Sequence, residues 1–290
     1  MRIRATVAAV SGALAISAFA LPAAHAAGSA PSYRTEAAKL FAAHGDRTAF
    51  SSTNGTAATD LGVSFSNLKI AKAIKVGPTG HVSTTVTYTL THGANYDLTS
   101  DDFDSGPVIY KASSITNADL LGGVNPATCT ATSSTTANCS GKIDINPADD
   151  LINSDAGKWS AGALALQYST GNRSLQGNLG TTLVQRNSQL TVDASPEPVQ
   201  KGKTITVTGK LSRANWEDGH YHGYAGQPVK LQFRKKGSST YTTLKTITTS
   251  STGTLKTTTK ATVDGYFRYV FAGTATTPAV NATGDFVDVR

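Results

Sequence analysis

PVKLQFRKK, residues 228–236, is the stretch that decides the fold class. Its side chains alternate, so that Val229, Leu231 and Phe233 face one way and the polar residues between them face the other. This period of two is typical of an antiparallel strand with one buried face. Six more runs with strand character lie between residues 188 and 290, namely SQLTVDAS, KTITVTGKLS, YTTLKTITT, TLKTTTKAT, GYFRYVFAG and GDFVDVR. Their spacing predicts a seven-strand β-sandwich over residues 188–290.

A second set of β patterns precedes this one. In HVSTTVTYTLTH, residues 81–92, every second residue from Val82 to Leu90 belongs to one face. The other predicted strands are GVSFSNLKIAK, AIKVG, PVIYKAS, ATCTAT, NCSGKIDI and KWSAGALALQYS. Residues 61–187 are therefore predicted to form another sandwich, and the fold class is all-β, with two tandem immunoglobulin-like sandwiches.

Aromatic and glycine residues refine the prediction for the first sandwich. Tyr88, Phe103, Tyr110 and Trp159 are predicted to lie in its core, because aromatic rings supply much of the buried area in small sandwiches. TGNRSLQGNLG, residues 170–180, carries three glycines and two asparagines. That composition predicts a long loop.

The first residues indicate export. A basic start with Arg2 and Arg4, an apolar segment and Ala24-His25-Ala26 predict a signal peptide over residues 1–26 that is cleaved before Ala27. A membrane anchor is the alternative, but small residues at the end of the segment favour cleavage. The expected location is extracellular, with no membrane span. Residues 27–60 are predicted to form a leader with a short helix over residues 35–45.

Two cysteines, Cys129 and Cys139, are the full complement of the chain. In an exported protein they are expected to form a disulfide, here across a hairpin whose turn lies in TATSSTTAN. A free pair or a metal site is the alternative. No further cysteine or suitably spaced histidine supports it.

Charge is distributed unevenly along the 290-residue chain. Residues 27–188 contain 11 basic and 12 acidic residues, whereas residues 189–290 contain 13 basic and 7 acidic residues, a net charge of +6. Such a domain outside the cell could attract an anionic wall polymer, a polysaccharide or, without sequence specificity, DNA. Ordinary solubility charge is the alternative, because the lysines are dispersed along alternating positions.

A resemblance adds to this interpretation. DLGVSFSNLKIAKAIKVG, HVSTTVTYTLTHG, TCTATSSTTANC and VDGYFRYVFAGTATTPAVNATGDFVDVR resemble a group of secreted actinobacterial proteins of unknown role. The resemblance covers nearly the whole mature chain. It implies two immunoglobulin-like or transthyretin-like sandwiches and export. Some members of the group are labelled calcium-binding, and no catalytic residue carries over.

An acidic cluster is the first candidate site. Asp97, Asp101, Asp102 and Asp104 could supply oxygens to calcium, which binds six to eight of them. The segment does not match an EF-hand loop. A second acidic loop contains Asp149, Asp150 and Asp155. The alternative is that these aspartates bond their own turns.

The second candidate site is NWEDGHYHGY, residues 215–224. Trp216 and Tyr221 could stack on a sugar while Glu217 and Asp218 accept its hydroxyl groups, and His220 with His222 could bind a metal. Alternatively, the tryptophan caps the open end of a sandwich.

The sequence offers little support for an enzyme. It has no G-x-S-x-G, H-E-x-x-H or P-loop motif, although a carboxylate pair such as Asp101 and Asp150 could serve a glycosidase if folding joined them. We therefore predict a secreted, non-catalytic binding or structural module of the cell envelope or extracellular matrix. A calcium-binding protein and a carbohydrate-binding protein or hydrolase are the alternatives. No cofactor is expected apart from calcium.

Overall fold

The computed structural model describes Tyr33, residues 60–115, Ala118 and residues 120–290. Within these residues the chain forms two β-sandwiches, one from strands between Ser64 and Arg186 and one from strands between Ser188 and Val287. Within residues 120–290 the helical segments are single turns at Pro147–Asp150 and Asn153–Asp155. The predicted all-β class with two sandwiches is confirmed. The predicted signal peptide and leader helix lie outside the described residues.

Among the described residues, the N-terminal sandwich has nine strands in two sheets. They are β1 Ser64–Lys69, β2 Ala73–Val76, β3 Val82–Thr91, β4 Phe103–Tyr110, β5 Leu120–Gly122, β6 Thr128–Ala131, β7 Thr136–Ile145, β8 Gly157–Gln167 and β9 Arg173–Arg186. One sheet has the order β1-β3-β7-β6 and the other β2-β9-β8-β4-β5. All pairings are antiparallel except β2 with β9.

The core between these sheets follows the alternation seen in the sequence. Val86, Tyr88 and Leu90 of β3 are buried, and the residues between them are exposed or half-buried. Small side chains such as Ala163 on β8 leave room for the Tyr88 ring. Tyr88, Phe103 and Trp159 are buried between the sheets, which confirms their assignment to the core. Tyr110 is also buried, but it lies in a separate apolar cluster with Tyr33 and not between the sheets.

Strands β4 and β8 are buried on both faces along most of their length. On the outer face of their sheet Val108, Leu164 and Leu166 form an apolar cluster with Tyr33, a leader residue that is only 5% exposed. Gly106 makes room for it, because a Cβ atom there would lie 2.0 Å from the Tyr33 hydroxyl oxygen. The leader therefore contacts the N-terminal sandwich at Tyr33.

The prediction of a long loop over residues 170–180 is wrong. Strand β9 begins at Arg173 and pairs with β8 through a bulge between Ala161 and Ala163. At this bulge the backbone N–H of Asn178 donates to the Tyr110 hydroxyl oxygen at 3.0 Å. Asn178 has a φ of 60°, a left-handed conformation that asparagine and glycine adopt more readily than other residues. Here these residue types therefore belong to the irregular part of a strand and not to a loop.

The C-terminal sandwich contains β10 Ser188–Leu190, β11 Asp193–Ser195, β12 Thr204–Asn215, β13 His220–Gly223, β14 Pro228–Lys235, β15 Thr242–Thr248, β16 Thr254–Lys260, β17 Gly265–Phe271, β18 Val280–Asn281 and β19 Asp285–Val287. Strand β12 pairs with β10, β11, β13 and β16, and the second sheet has the order β15-β14-β17-β18 with β19 also on β17. Each of the seven predicted runs contains a strand. The first is divided into β10 and β11, and β13 and β18 are additional.

Candidate functional site

The aspartates of the first acidic cluster bond to nearby protein groups. Asp97 accepts from the Thr99 hydroxyl at 2.6 Å and from its N–H at 2.9 Å. Asp102 accepts from the Ser169 hydroxyl and from its N–H, both at 2.6 Å. The bond from the Ser169 hydroxyl is the main reason that the pKa of Asp102 lies below its ordinary value. The bonds from Ser169 connect this loop to the turn between β8 and β9, whereas those of Asp97 stay within its own turn.

Asp104 has a different environment on β4. Burial raises its pKa, although the Tyr168 hydroxyl donates to it at 2.5 Å and opposes the effect. The neighbouring Asp101 carboxylate also raises this pKa. The four candidate ligands are therefore divided between a turn and a strand.

The second acidic loop is at the opposite end of the sandwich. Asp102 lies near Gln167, the last residue of β8, while Asp155 lies just before Gly157, the first. An extended strand of eleven residues is about 35 Å long, so the two loops at its ends do not converge. Asp150 is fully buried and accepts from the Asn146 N–H at 2.7 Å, which secures its own turn.

Among the described residues, no three His, Cys, Asp or Glu side chains are grouped so that they could hold a metal ion. The geometry therefore does not support a calcium site built from Asp97, Asp101, Asp102 and Asp104, and calcium binding stays a prediction. It likewise separates Asp101 from Asp150, the carboxylate pair named for a glycosidase.

The predicted disulfide is confirmed. Cys129 on β6 lies directly opposite Cys139 on β7, with Cα atoms 4.0 Å apart and sulfur atoms 2.02 Å apart. The bond joins the two strands of a hairpin whose turn contains Ser133, and the Ser133 side chain contacts Thr136 at the start of β7. Because β6 is an edge strand, the link holds it to the sheet.

The aromatic loop is the tip of the hairpin formed by β12 and β13. Its Trp216 ring is 2% exposed and belongs to an apolar cluster with Val76, Trp159 and Val184 of the N-terminal sandwich. The indole N–H donates to the backbone oxygen of Val76 at 3.3 Å. Trp216 therefore fills the end of the other sandwich, and its assignment as a sugar-stacking platform is corrected because no sugar could reach the ring.

Polar contacts around Asn153 surround this ring. The Asn153 side-chain oxygen accepts from the backbone N–H of Trp216 at 3.1 Å. Its amide nitrogen donates to Glu217 at 2.8 Å and to Asn215 at 2.5 Å. Glu217 thus binds the N-terminal sandwich in this structure, although the sequence suggested a ligand contact.

The remaining residues of the loop are divided between the joint and solvent. Tyr221 is half-buried against the same apolar cluster, and its hydroxyl accepts from the Asn187 side chain at 3.1 Å. Asp218 faces solvent and accepts from the His222 ring at 2.6 Å. Desolvation alone would raise the pKa of Asp218, but hydrogen bonds from His220 N–H and His222 outweigh it and lower the pKa.

A second loop completes the joint between the sandwiches. The Gln185 side chain donates to the backbone oxygen of Thr274 at 2.8 Å, and the Arg186 N–H donates to that of Thr276 at 3.0 Å. The Arg186 guanidinium donates to Ala214 O at 2.5 Å, and burial lowers its pKa to about 10. Arg186 therefore remains charged at neutral pH, next to the β12–β13 hairpin.

Sequence reasoning did not identify Asn153, Val76 or Arg186 as partners of the aromatic loop. Asn153 and Trp216 are 63 positions apart, and Val76 is 140 positions from Trp216. The unusual density of aromatic and acidic residues was the one available signal. It marked the loop without indicating what the loop contacts.

No protein-family model matches the sequence, and the curated proteins contain no match. Solved structures similar to it include dimeric latent PorU from Porphyromonas gingivalis, with 11% identity, a TM-score of 0.28, and 78% of this chain covered. The chain spans 20% of PorU. Fibronectin(III)-like modules of Clostridium thermocellum CbhA show 13% identity and a TM-score of 0.27, covering 77% of this chain and 92% of theirs. The D00-D0 domain of intimin shows 16% identity and a TM-score of 0.24, covering 77% of this chain and 99% of that domain.

Proposed function

We propose that this protein is a secreted, non-catalytic module of the cell envelope or extracellular matrix, in which two joined sandwiches present a binding surface to an anionic extracellular polymer. The observation that carries the proposal is the burial of Trp216 in the end of the N-terminal sandwich. A loop that could have bound a ligand is used to join the domains. Binding is therefore assigned to the sheet faces of a two-domain unit.

Two features support an extracellular role, the N-terminal segment and the disulfide. The N-terminal segment has the pattern of a signal peptide, and the oxidised pair Cys129–Cys139 suits an oxidising compartment. In the part of the chain that the structure describes, no helix is long and apolar enough to cross a membrane. The net charge of +6 over residues 189–290 favours an acidic partner.

Cosedimentation tests the binding role. The protein from Ala27 to Arg290 would be mixed with isolated cell walls, and with the same walls after chemical removal of their anionic polymer. We expect binding to the intact walls that weakens as salt increases, because paired charges are screened. Equal binding to the stripped walls, or none to either, would contradict the proposal.

The same mixtures test the non-catalytic role. The amount of reducing sugar ends and the size distribution of soluble wall fragments should stay constant during prolonged incubation. A progressive increase in reducing ends would show hydrolysis. N-terminal sequencing of protein recovered from the culture medium tests secretion, and the expected first residue is Ala27.

A further inference from the structure

The outer face of the sheet formed by β15, β14, β17 and β19 carries alternating basic and aromatic side chains. On β14, Leu231 and Phe233 pack against the core, while Arg234 points to the opposite side. On β17, Phe267 and Tyr269 are buried in the same way. We call the resulting surface the cation–aromatic face; it consists of Arg234, Lys236, Tyr241, Tyr266, Arg268 and Phe286.

Each arginine of this face is stacked on tyrosine. The Arg268 guanidinium carbon lies 3.7 Å from the centre of the Tyr241 ring. That of Arg234 lies 4.2 Å from the Tyr266 ring and 5.2 Å from the Tyr241 ring. Stacking holds a planar guanidinium in place and leaves its N–H groups directed outward along its edge.

Most of these N–H groups are available to a ligand. Arg268 donates from Nε to the Gln232 side chain at 3.0 Å, and Arg234 donates one bond to Ser238 O at 2.6 Å. Neither arginine forms an ion pair with any described residue. A guanidinium has five N–H donors, so both can still bind an anion with two parallel bonds.

The face continues towards the end of the sandwich. The Tyr266 and Phe286 rings have centroids 5.1 Å apart, and the Lys236 ammonium lies 5.2 Å from the Phe286 centroid. Lys236 also lines a cleft with Lys201, Lys235, Asp264 and Arg290. The acidic groups here are already paired, since Asp264 lies 3.3 Å from Lys236 and Asp288 lies 3.0 Å from Arg290.

The arrangement differs from ordinary solubility charge. Dispersed lysines need no aromatic partners, whereas here rings and cations are interleaved on three strands. Arg234 is opposite Tyr266, and Arg268 is opposite Gln232, so the two arginines are diagonal neighbours about 7–8 Å apart at Cα. Two anionic groups on one extended polymer could bind them together.

We propose that the cation–aromatic face binds a linear anionic extracellular polymer, whose carboxylate or phosphodiester groups accept bonds from Arg234 and Arg268. Aliphatic C–H groups of the polymer pack on Phe286 and the accessible edges of the tyrosines. Both guanidinium groups approach Tyr241, which disfavours stacking of a flat nucleobase on that ring. The inference rests on the proposed function and locates its binding surface.

The test compares two double variants of the Ala27–Arg290 protein that remove the same charge. R234Q/R268Q changes the face, and K256Q/K260Q changes exposed positions on β16, which belongs to the other sheet. At low ionic strength we expect R234Q/R268Q to weaken binding to polygalacturonate or polyglycerol phosphate at least tenfold. The control should weaken it less than about threefold. These two polymers distinguish carboxylate from phosphodiester recognition.

Each of the following results would overturn the inference. Equal weakening by the two variants would indicate diffuse electrostatic attraction. If wild type bound neutral dextran as tightly as the anionic polymers, the anion would have no role. If wild type bound poly-dT more tightly, nucleic acid would be the favoured ligand. If wild type binds no polymer, the proposed function fails; if it binds and R234Q/R268Q binds equally well, only the site fails. NMR signals of the arginine Nε–H groups in wild type must also shift on titration with the polymer. This measurement needs no variant to fold.

Discussion

Replacement of Trp216 by alanine is the sharpest test of the joint between the sandwiches. A buried tryptophan removes up to about 250 Å² from water, and at about 25 cal/mol per Å² this corresponds to roughly 6 kcal/mol as an upper limit. Tryptophan-to-alanine changes in cores cost about 3–5 kcal/mol. Trp216 is 2% exposed, so we expect a loss in that range.

The loss should be located in the N-terminal sandwich. The apolar cluster around Trp216 contains Val76 and Trp159, whereas the core of the C-terminal sandwich does not include it. For a domain of this size, about 3–5 kcal/mol corresponds to a decrease of roughly 10–20 °C in its melting temperature. The transition of the C-terminal sandwich should change less.

Differential scanning calorimetry of the Ala27–Arg290 protein measures this effect, and small-angle X-ray scattering measures the arrangement of the domains. His220→Ala is the matched control, because this side chain lies on the same hairpin and is 80% exposed. We expect two separate transitions and a broader distribution of sizes for Trp216→Ala alone. A decrease below about 3 °C with unchanged scattering would refute the reasoning.

Three further predictions follow from the structure. Cys129→Ser should lower the melting temperature by several degrees, because a disulfide that closes a loop of about ten residues contributes roughly 2–3 kcal/mol to stability. Two reactive thiols in the untreated wild-type protein would contradict the bond. Burial alone would raise the pKa of Asp144, but hydrogen bonds such as that from Val124 N–H at 2.9 Å lower it. Its carboxylate therefore stabilises the fold above its ordinary pKa near 4, and this contribution disappears as pH falls through the lower folded pKa. Asp144→Asn should accordingly melt lower than wild type at pH 7, with a gap that narrows below about pH 4; a constant gap in pH-dependent melting would count against this. Gly106→Ala should lower the free energy of unfolding by about 1–3 kcal/mol, measured with denaturant, because the added Cβ displaces Tyr33. Tyr33→Phe should leave this free energy unchanged or raise it, because the Tyr33 hydroxyl is buried without a hydrogen-bond partner among the described residues. A stabilised Gly106→Ala would show that the leader does not pack there.

The predicted strands succeeded where the signal was local. Alternation over Val229, Leu231 and Phe233 depends on the geometry of one strand, and any buried sheet face requires it. The loop predicted over residues 170–180 failed for the opposite reason. Strand β9 exists there because β8 supplies its hydrogen bonds across a bulge, and glycine-rich composition carries no information about that partner.

Site residues show the same division. The sequence identified the Cys129–Cys139 pair because exported cysteines have few alternatives and these two were the whole set. It also marked the loop around Trp216 as unusual. It could not indicate that Glu217 bonds Asn153, because that contact is created only when two separate domains meet.

The sequence by itself therefore determined the all-β class, the alternation that buries each sheet and the disulfide, all of which depend on residue type and short-range periodicity. The tertiary structure decided that Trp216 fills the neighbouring sandwich and that Arg234, Tyr241, Tyr266 and Arg268 share one surface. These arrangements depend on strand register and domain contact. Both are selected by the free energy of burying surfaces that lie far apart along the chain, which no local pattern encodes.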